Sequence, residues 1–168
     1  MKKLVLLFLL CSANLAAQDT LLGVLPLVSG EISYIQVHEV IGFPKDSLVE
    51  NAKEWYLMNK AVKVKEIELD EKHQAVTGSL SFKTLWGPND FPELYKEVQF
   101  NLQVLAKNER YQYHFSNFAV IEPGIKTQLA IYKSEKNSYE KYNRDFYTRI
   151  DDEINKMINS LIEKMKEE

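Results

Sequence analysis

The residues able to do chemistry in this 168-residue chain are few, and their spacing is loose. His38, His73 and His114 are the candidates for a metal site or a general base. A structural zinc site takes three or four ligands with close pairs on one element, such as histidines four apart on a helix. Here the three are scattered over two strand-like stretches and a turn. His38 and His114 could face each other across paired strands, but one pair is not a site. Gly78-Ser79-Leu80 lacks the G-x-S-x-G spacing of a nucleophile elbow. Asp151, Asp152 and Glu153 offer paired carboxylates, yet they fall on a helical pattern where solvated charge is the ordinary role. The glycines form no phosphate-cradling loop. No catalytic residue, cofactor or metal ligand is expected, and a hydrolase would need an arrangement that these motifs do not describe.

Binding chemistry has three candidate locations. The loop LWGPNDFPELY (85–95) carries Trp86, Asn89, Asp90, Phe91 and Tyr95 around two prolines. Aromatics on a stiffened loop can anchor a protein or a sugar, or fold back to cap the core. The stretch RYQYHFSNF (110–118) sets Tyr111, Tyr113 and Phe115 on alternate positions after an arginine, as in an RNA-stacking strand. Its other face, Gln112, His114 and Ser116, is polar and would join Ser79, Ser81 and Lys83 on an open sheet surface.

The N-terminus and the charge choose among these. MKKLVLLFLLCSANLAAQDT has a basic start, a short apolar run and small residues before Gln18, the form of a cleaved export signal. The run is well short of the roughly 20 apolar residues that span a bilayer. Residues 1–17 therefore read as a signal peptide and 18–168 as one exported domain. Cys11, the only cysteine, lies in that leader behind bulky Leu10, which disfavours lipidation. The exported chain then has neither a disulfide nor a thiolate. Losing Lys2 and Lys3 takes the 21 basic residues to 19 against 24 acidic ones, so the formal net charge moves from −3 to −5. Export and negative charge both exclude nucleic acid. Tyr111, Tyr113 and Phe115 are then core residues of a half-buried strand, and Phe118, out of phase, marks a bulge or the strand's end.

A composition of 45% hydrophobic and 27% charged residues suits a globular domain. Residues 18–29 carry no clear pattern. Residues 30–41 read as a strand with Tyr34, Gln36, His38 and Val40 on one face. Ser47 and Glu50 form a capping-box signature before a helix with Leu48, Ala52 and Trp55 in phase. Strands follow at 64–70, 74–85 and 94–106, then the strand containing 110–118. A long C-terminal helix starts near Asn137, could break near Asn143, and lines up Tyr142, Phe146, Ile150, Ile154, Met157, Leu161 and Met165. Consecutive strands with short turns pair antiparallel, and each helix buries its stripe on one sheet face. The expected fold is a two-layer α+β sandwich, β-α-β-β-β-β-α, with a curved antiparallel sheet.

The stretches LPLVSGEISYIQVHEVIG, SLVENAKEWY, VTGSLSFK, AKNERYQYHFSNF and DDEINKMINSLIEKM resemble a family of exported bacterial proteins, domain of unknown function 4468. The likeness runs from about residue 26 to residue 166. It implies a TATA-binding-protein-like fold and carries over no catalytic residue. The fold's name implies no DNA binding, because function resides in sites. The expected function is a non-catalytic binding domain for a protein or a glycan, in the periplasm, at the cell surface or secreted. Two alternatives are a carrier holding a small apolar ligand under the C-terminal helix and an unrecognised hydrolase. A void above roughly 300 Å3 would mark the carrier.

Overall fold

Alternating apolar and polar residues give the longest strands, and the turns after Asp70, Lys107 and Glu122 each hold a residue with positive φ, at Gln74, Glu109 and Gly124. The computed structural model describes residues 20–70, 72, 74–87, 95–131 and 140–167. The expected leader lies outside them. Three short strands come first: β1 (Thr20–Leu21), β2 (Leu25–Val28) and β3 (Glu31–Ile32), an antiparallel meander. Ser29 and Gly30, both with positive φ (55° and 83°), make the two-residue turn between β2 and β3. Then follow β4 (Tyr34–Glu39), α1 (Lys45–Met58), β5 (Lys63–Asp70), β6 (Ala75–Leu85), β7 (Tyr95–Lys107), β8 (Arg110–Glu122), β9 (Ile125–Gln128) and α2 (Glu140–Lys164).

The main sheet is antiparallel in the order β4-β8-β7-β6-β5, and both helices lie on one side of it. β8 is long enough for two partners on one edge: β4 pairs with Arg110–Phe115 and β9 with Ala119–Glu122. The change of partner coincides with a bulge. Asn117 takes a left-handed φ of 56°, and the β7–β8 register slips between Gln99 and Asn101. That extra residue turns Phe118 back into the core, where it is 4% exposed with its ring 5.6 Å from Phe100. The out-of-phase aromatic is thus a bulge, and the strand continues past it.

The two-layer β-α-β-β-β-β-α sandwich is the architecture found, with differences in detail. The strand expected at 30–41 divides at buried Ser33, whose N–H donates to the Pro26 carbonyl at 3.1 Å, so that one stretch serves two sheets. The capping box at Ser47 and Glu50 is not formed. Pro44 occupies the N-cap without a side-chain cap, and Asn108 Oδ1 instead accepts the Lys45 N–H at 3.1 Å. Glu50 pairs with Lys53 at 3.0 Å. The helix expected from Asn137 has its start outside the described residues. Nor does α2 break at Asn143; it runs on through that residue, which is buried and accepts the Trp86 indole N–H at 3.1 Å.

Large side chains meet between the layers. Phe100 lies at the centre, with ring centroids 5.9 Å from Phe82 and 5.8 Å from Phe115. Tyr111, Tyr113 and Phe115 are buried beneath the helices, as their alternation implied. The Tyr113 hydroxyl donates to Gln36 Oε1 at 3.0 Å and the Tyr34 hydroxyl to Asp151 Oδ1 at 2.6 Å. From α2, Phe146, Ile150, Ile154, Met157 and Leu161 close the layer, with Met165 just past its end, all buried. The carrier reading needed room there, and among the described residues these side chains occupy it.

Candidate functional site

Of the candidate histidines and acids, His38, His114, Asp151 and Glu153 have structural partners or neighbours. His38 pairs in register with Tyr111, whereas His114 pairs with Ile35, so successive strand positions put the two histidines on opposite faces. They do not face each other. His114 Nε2 lies 2.8 Å from the Ser33 hydroxyl. The His38 ring stacks on Tyr111 and Tyr113 at 5.3 and 5.5 Å. His73 lies outside the described residues. Asp151 accepts from Tyr34 and from Asn155 Nδ2 at 3.0 Å, and Glu153 holds Lys156 at 2.6 Å. The Ser79 hydroxyl accepts from Gln99 Nε2 at 2.9 Å. No group of three or more His, Cys, Asp or Glu side chains is placed to hold a metal among the described residues.

Burial, and after it the Lys166 ammonium, holds the His38 imidazole below its ordinary range. The fold therefore prefers neutral His38. The stability this preference contributes is full above the unfolded value of 6.5 and is lost as pH falls from there through the lower folded value. Urea titrations at about pH 7 and about pH 5.5 are expected to show a falling midpoint, and His38→Gln to reduce that fall. An equal fall in both proteins would show that His38 is not its source.

The aromatic loop lies only partly within the described residues. Trp86 packs against the core, and Arg149 Nη1 holds the loop's base through the Leu85 carbonyl at 2.8 Å. Tyr95 is 55% exposed at the start of β7. Asn89, Asp90 and Phe91 lie outside the described residues. The described part divides in direction: Trp86 turns inward, while Tyr95 falls by strand alternation on the sheet face that carries no helix.

That helix-free face has the most distinctive composition on the protein. Register places Thr77, Ser79 and Ser81 of β6 beside Gln103, Asn101 and Gln99 of β7, and these beside His114, Ser116 and Ala119 of β8. A band of hydroxyls and carboxamides thus crosses three strands. Glu66, Glu68 and Asp70 of β5 border it on one side, Ile35 and Val37 of β4 on the other. At the lower corner Glu97 is held below the usual carboxylate range, first by the Ser81 hydroxyl and also by Lys65 at 3.3 Å.

Four open clefts run together over this face. One of about 430 Å3 is lined by Glu68, Asp70, Thr77 and Gln103, and a neighbour of about 290 Å3 by Glu66, Glu68, Thr77 and Asn101. A third, about 250 Å3, opens at the bulge, with Glu31, Asn101, Asn117, Lys126 and Gln128 around Phe118 and Ala119. The fourth, about 230 Å3, lies between Val37, Leu105 and Arg110. Carboxamides and hydroxyls donate and accept alike, so such a surface suits neutral polar ligands. The polar residues of β6 and β8 were legible as a face in the sequence. Those of β7 and β9 were missed, because only the register puts Asn101 and Gln128 beside the bulge; Asn117, tolerant of positive φ and followed by an out-of-phase Phe118, was the available signal.

No protein-family model matches the chain, and no curated protein matches it. Solved structures do. A domain-of-unknown-function-4468 family protein from Bacteroides ovatus aligns with a TM-score of 0.64 at 12% identity, covering 88% of this chain and 94% of that one. A TATA-binding-protein-like protein from Parabacteroides distasonis aligns with a TM-score of 0.57 at 9% identity, covering 81% and 96%. Likeness at such identities shows the fold. It is the TATA-binding-protein-like α+β fold implied by the sequence resemblance.

Proposed function

We propose that this protein is an exported, non-catalytic binding domain of the bacterial cell envelope, which takes a protein or glycan partner on its helix-free sheet face. One observation carries the reading: the hydroxyl and carboxamide side chains of β6, β7 and β8 converge on one face, beneath contiguous clefts. The opposite face of β6, β7 and β8 is buried against α1 and α2. The leader-like N-terminus supports export. Engagement of Ser79 with Gln99, His114 with Ser33 and Asp151 with Tyr34 supports a surface that binds without reacting.

An NMR titration tests this, with cell-wall glycan strands and a neutral extended peptide as probes. At least one probe is expected to shift the side-chain carboxamide signals of Asn101 and Gln103. The double variant Asn101→Ala/Gln103→Ala should bind that probe about ten-fold more weakly, roughly 1.4 kcal/mol. Shifts confined to the groove between α1 and α2, lined by Trp55, Asn59, Ser160 and Lys164, would contradict the proposal. So would cleavage of a probe, which would favour a hydrolase.

A further inference from the structure

The two edges of the main sheet differ in a way that bears on the partner. β5 is eight residues long and forms an edge of the main sheet, with no strand beyond it among the described residues. Its first part is interrupted by a bulge between Val64 and Glu66, and its second part, Glu66–Asp70, pairs regularly with β6. An edge strand keeps one row of backbone N–H and C=O groups turned outward, a ready template for an added strand. Along the regular part Glu66, Glu68 and Asp70 share the helix-free face, while Ile67 and Leu69, 36% and 40% exposed, share the other. The Glu66 and Glu68 carboxylates have no partner among the described residues.

This pattern selects what can pair. In any in-phase register of Glu66–Asp70 with the same segment of a second copy, carboxylates would stand opposite carboxylates, which is destabilising. An acidic strand is rejected for the same reason. A strand carrying lysine or arginine at every second position sets its charges at the spacing of Glu66 and Glu68, about 6.8 Å. The aliphatic residues between them fall beside Ile67 and Leu69. The clefts next to Glu66 and Glu68 leave room for long basic side chains to lie over Thr77 and Asn101.

We infer that Glu66–Asp70 of β5 is a docking edge for an extended basic–aliphatic segment of a partner protein, which adds to the sheet as a further strand. The inference rests on the reading of the protein as a binding domain and commits it to one class of partner. Charge on this edge then has two effects, excluding self-association and choosing the partner's sign.

The test uses the purified protein and three capped nine-residue peptides: alternating lysine and valine, the same composition in blocks, and alternating glutamate and valine. The alternating lysine peptide is expected to shift the amides of Glu66–Asp70 and to slow hydrogen exchange along β5. The block and glutamate peptides should bind at least ten-fold more weakly. Glu66→Lys/Glu68→Lys, two changes at exposed positions, should weaken the alternating peptide at least ten-fold while leaving the thermal melt in place. Equal binding of the block peptide, unchanged binding by the double variant, or shifts on β4 in place of β5 would overturn the inference. If the neutral probes move Asn101 and Gln103 while the lysine peptide leaves β5 unmoved, the docking edge falls and the binding face stands. If no probe moves either set, both fall.

Discussion

Replacing Gly78 with valine is expected to cost about 3–5 kcal/mol, enough to unfold much of the population of a marginally stable domain. A Cβ at this position would lie 2.4 Å from Tyr56 Cε1 and 3.1 Å from both Tyr56 Cδ1 and the Glu66 carbonyl oxygen. The ring has nowhere to go. Tyr56 is 1% exposed, and its hydroxyl donates to the Leu102 carbonyl at 2.7 Å. Burial, the dominant influence on that hydroxyl, keeps it protonated and donating far above its ordinary range. The glycine is therefore the gap in β6 through which the ring of α1 reaches the sheet. Tyr56→Leu alone should cost about 2–4 kcal/mol, from lost packing and an orphaned carbonyl. Combined with Gly78→Val it should cost less than the sum by more than about 1 kcal/mol, since the two changes share one contact. Urea unfolding of the four proteins measures the cycle. Additive costs would show that the ring and the glycine do not meet.

Trp55→Ala, one residue earlier, is expected to cost about 3–5 kcal/mol. Trp55 is 3% exposed and stands between the helices: its indole N–H donates to Ser160 Oγ at 3.1 Å, and its ring meets the Tyr56 ring edge-on at 5.5 Å. Trp55→Phe keeps most of the apolar volume and loses the hydrogen bond, so about 1 kcal/mol is expected. The difference between the two substitutions separates packing from hydrogen bonding at the α1–α2 seam. A loss below about 1 kcal/mol for the alanine variant would mean that α2 does not seal this face of α1.

The sequence disclosed those parts of the fold in which every second residue repeats one environment. Val76, Leu80 and Phe82 of β6, with Val98, Phe100, Leu102 and Val104 of β7, announced their strands and faces because the buried side of a sheet is mostly apolar. Tyr111, Tyr113 and Phe115 looked most like a stacking site and became the core. Features decided by distant partners stayed hidden. Asn108 caps α1 from the β7–β8 turn, sixty-three residues away, so the nearer Ser47 and Glu50 misled. The N-terminal meander turns at Leu22 and Ser29, residues that rarely take positive φ. β9 is four residues, IKTQ, too short and polar for periodicity to register. Trp86 is drawn inward by Asn143, far along the chain, whereas Tyr95 of the same loop remains exposed. The helix-free face was half legible, because β6 and β8 show their polar alternation and β7 adds Gln99, Asn101 and Gln103 only once its register is known.

The central claim is that partners meet the helix-free sheet face. Photo-cross-linking in the producing cell tests it directly, with a benzophenone amino acid placed in turn at Thr77 and Gln103 on that face and at Asp152 and Lys156 on the outer side of α2. Adducts from positions 77 and 103, and none from 152 and 156, are the predicted result. Adducts formed only through α2, or none at any of the four positions, would contradict it.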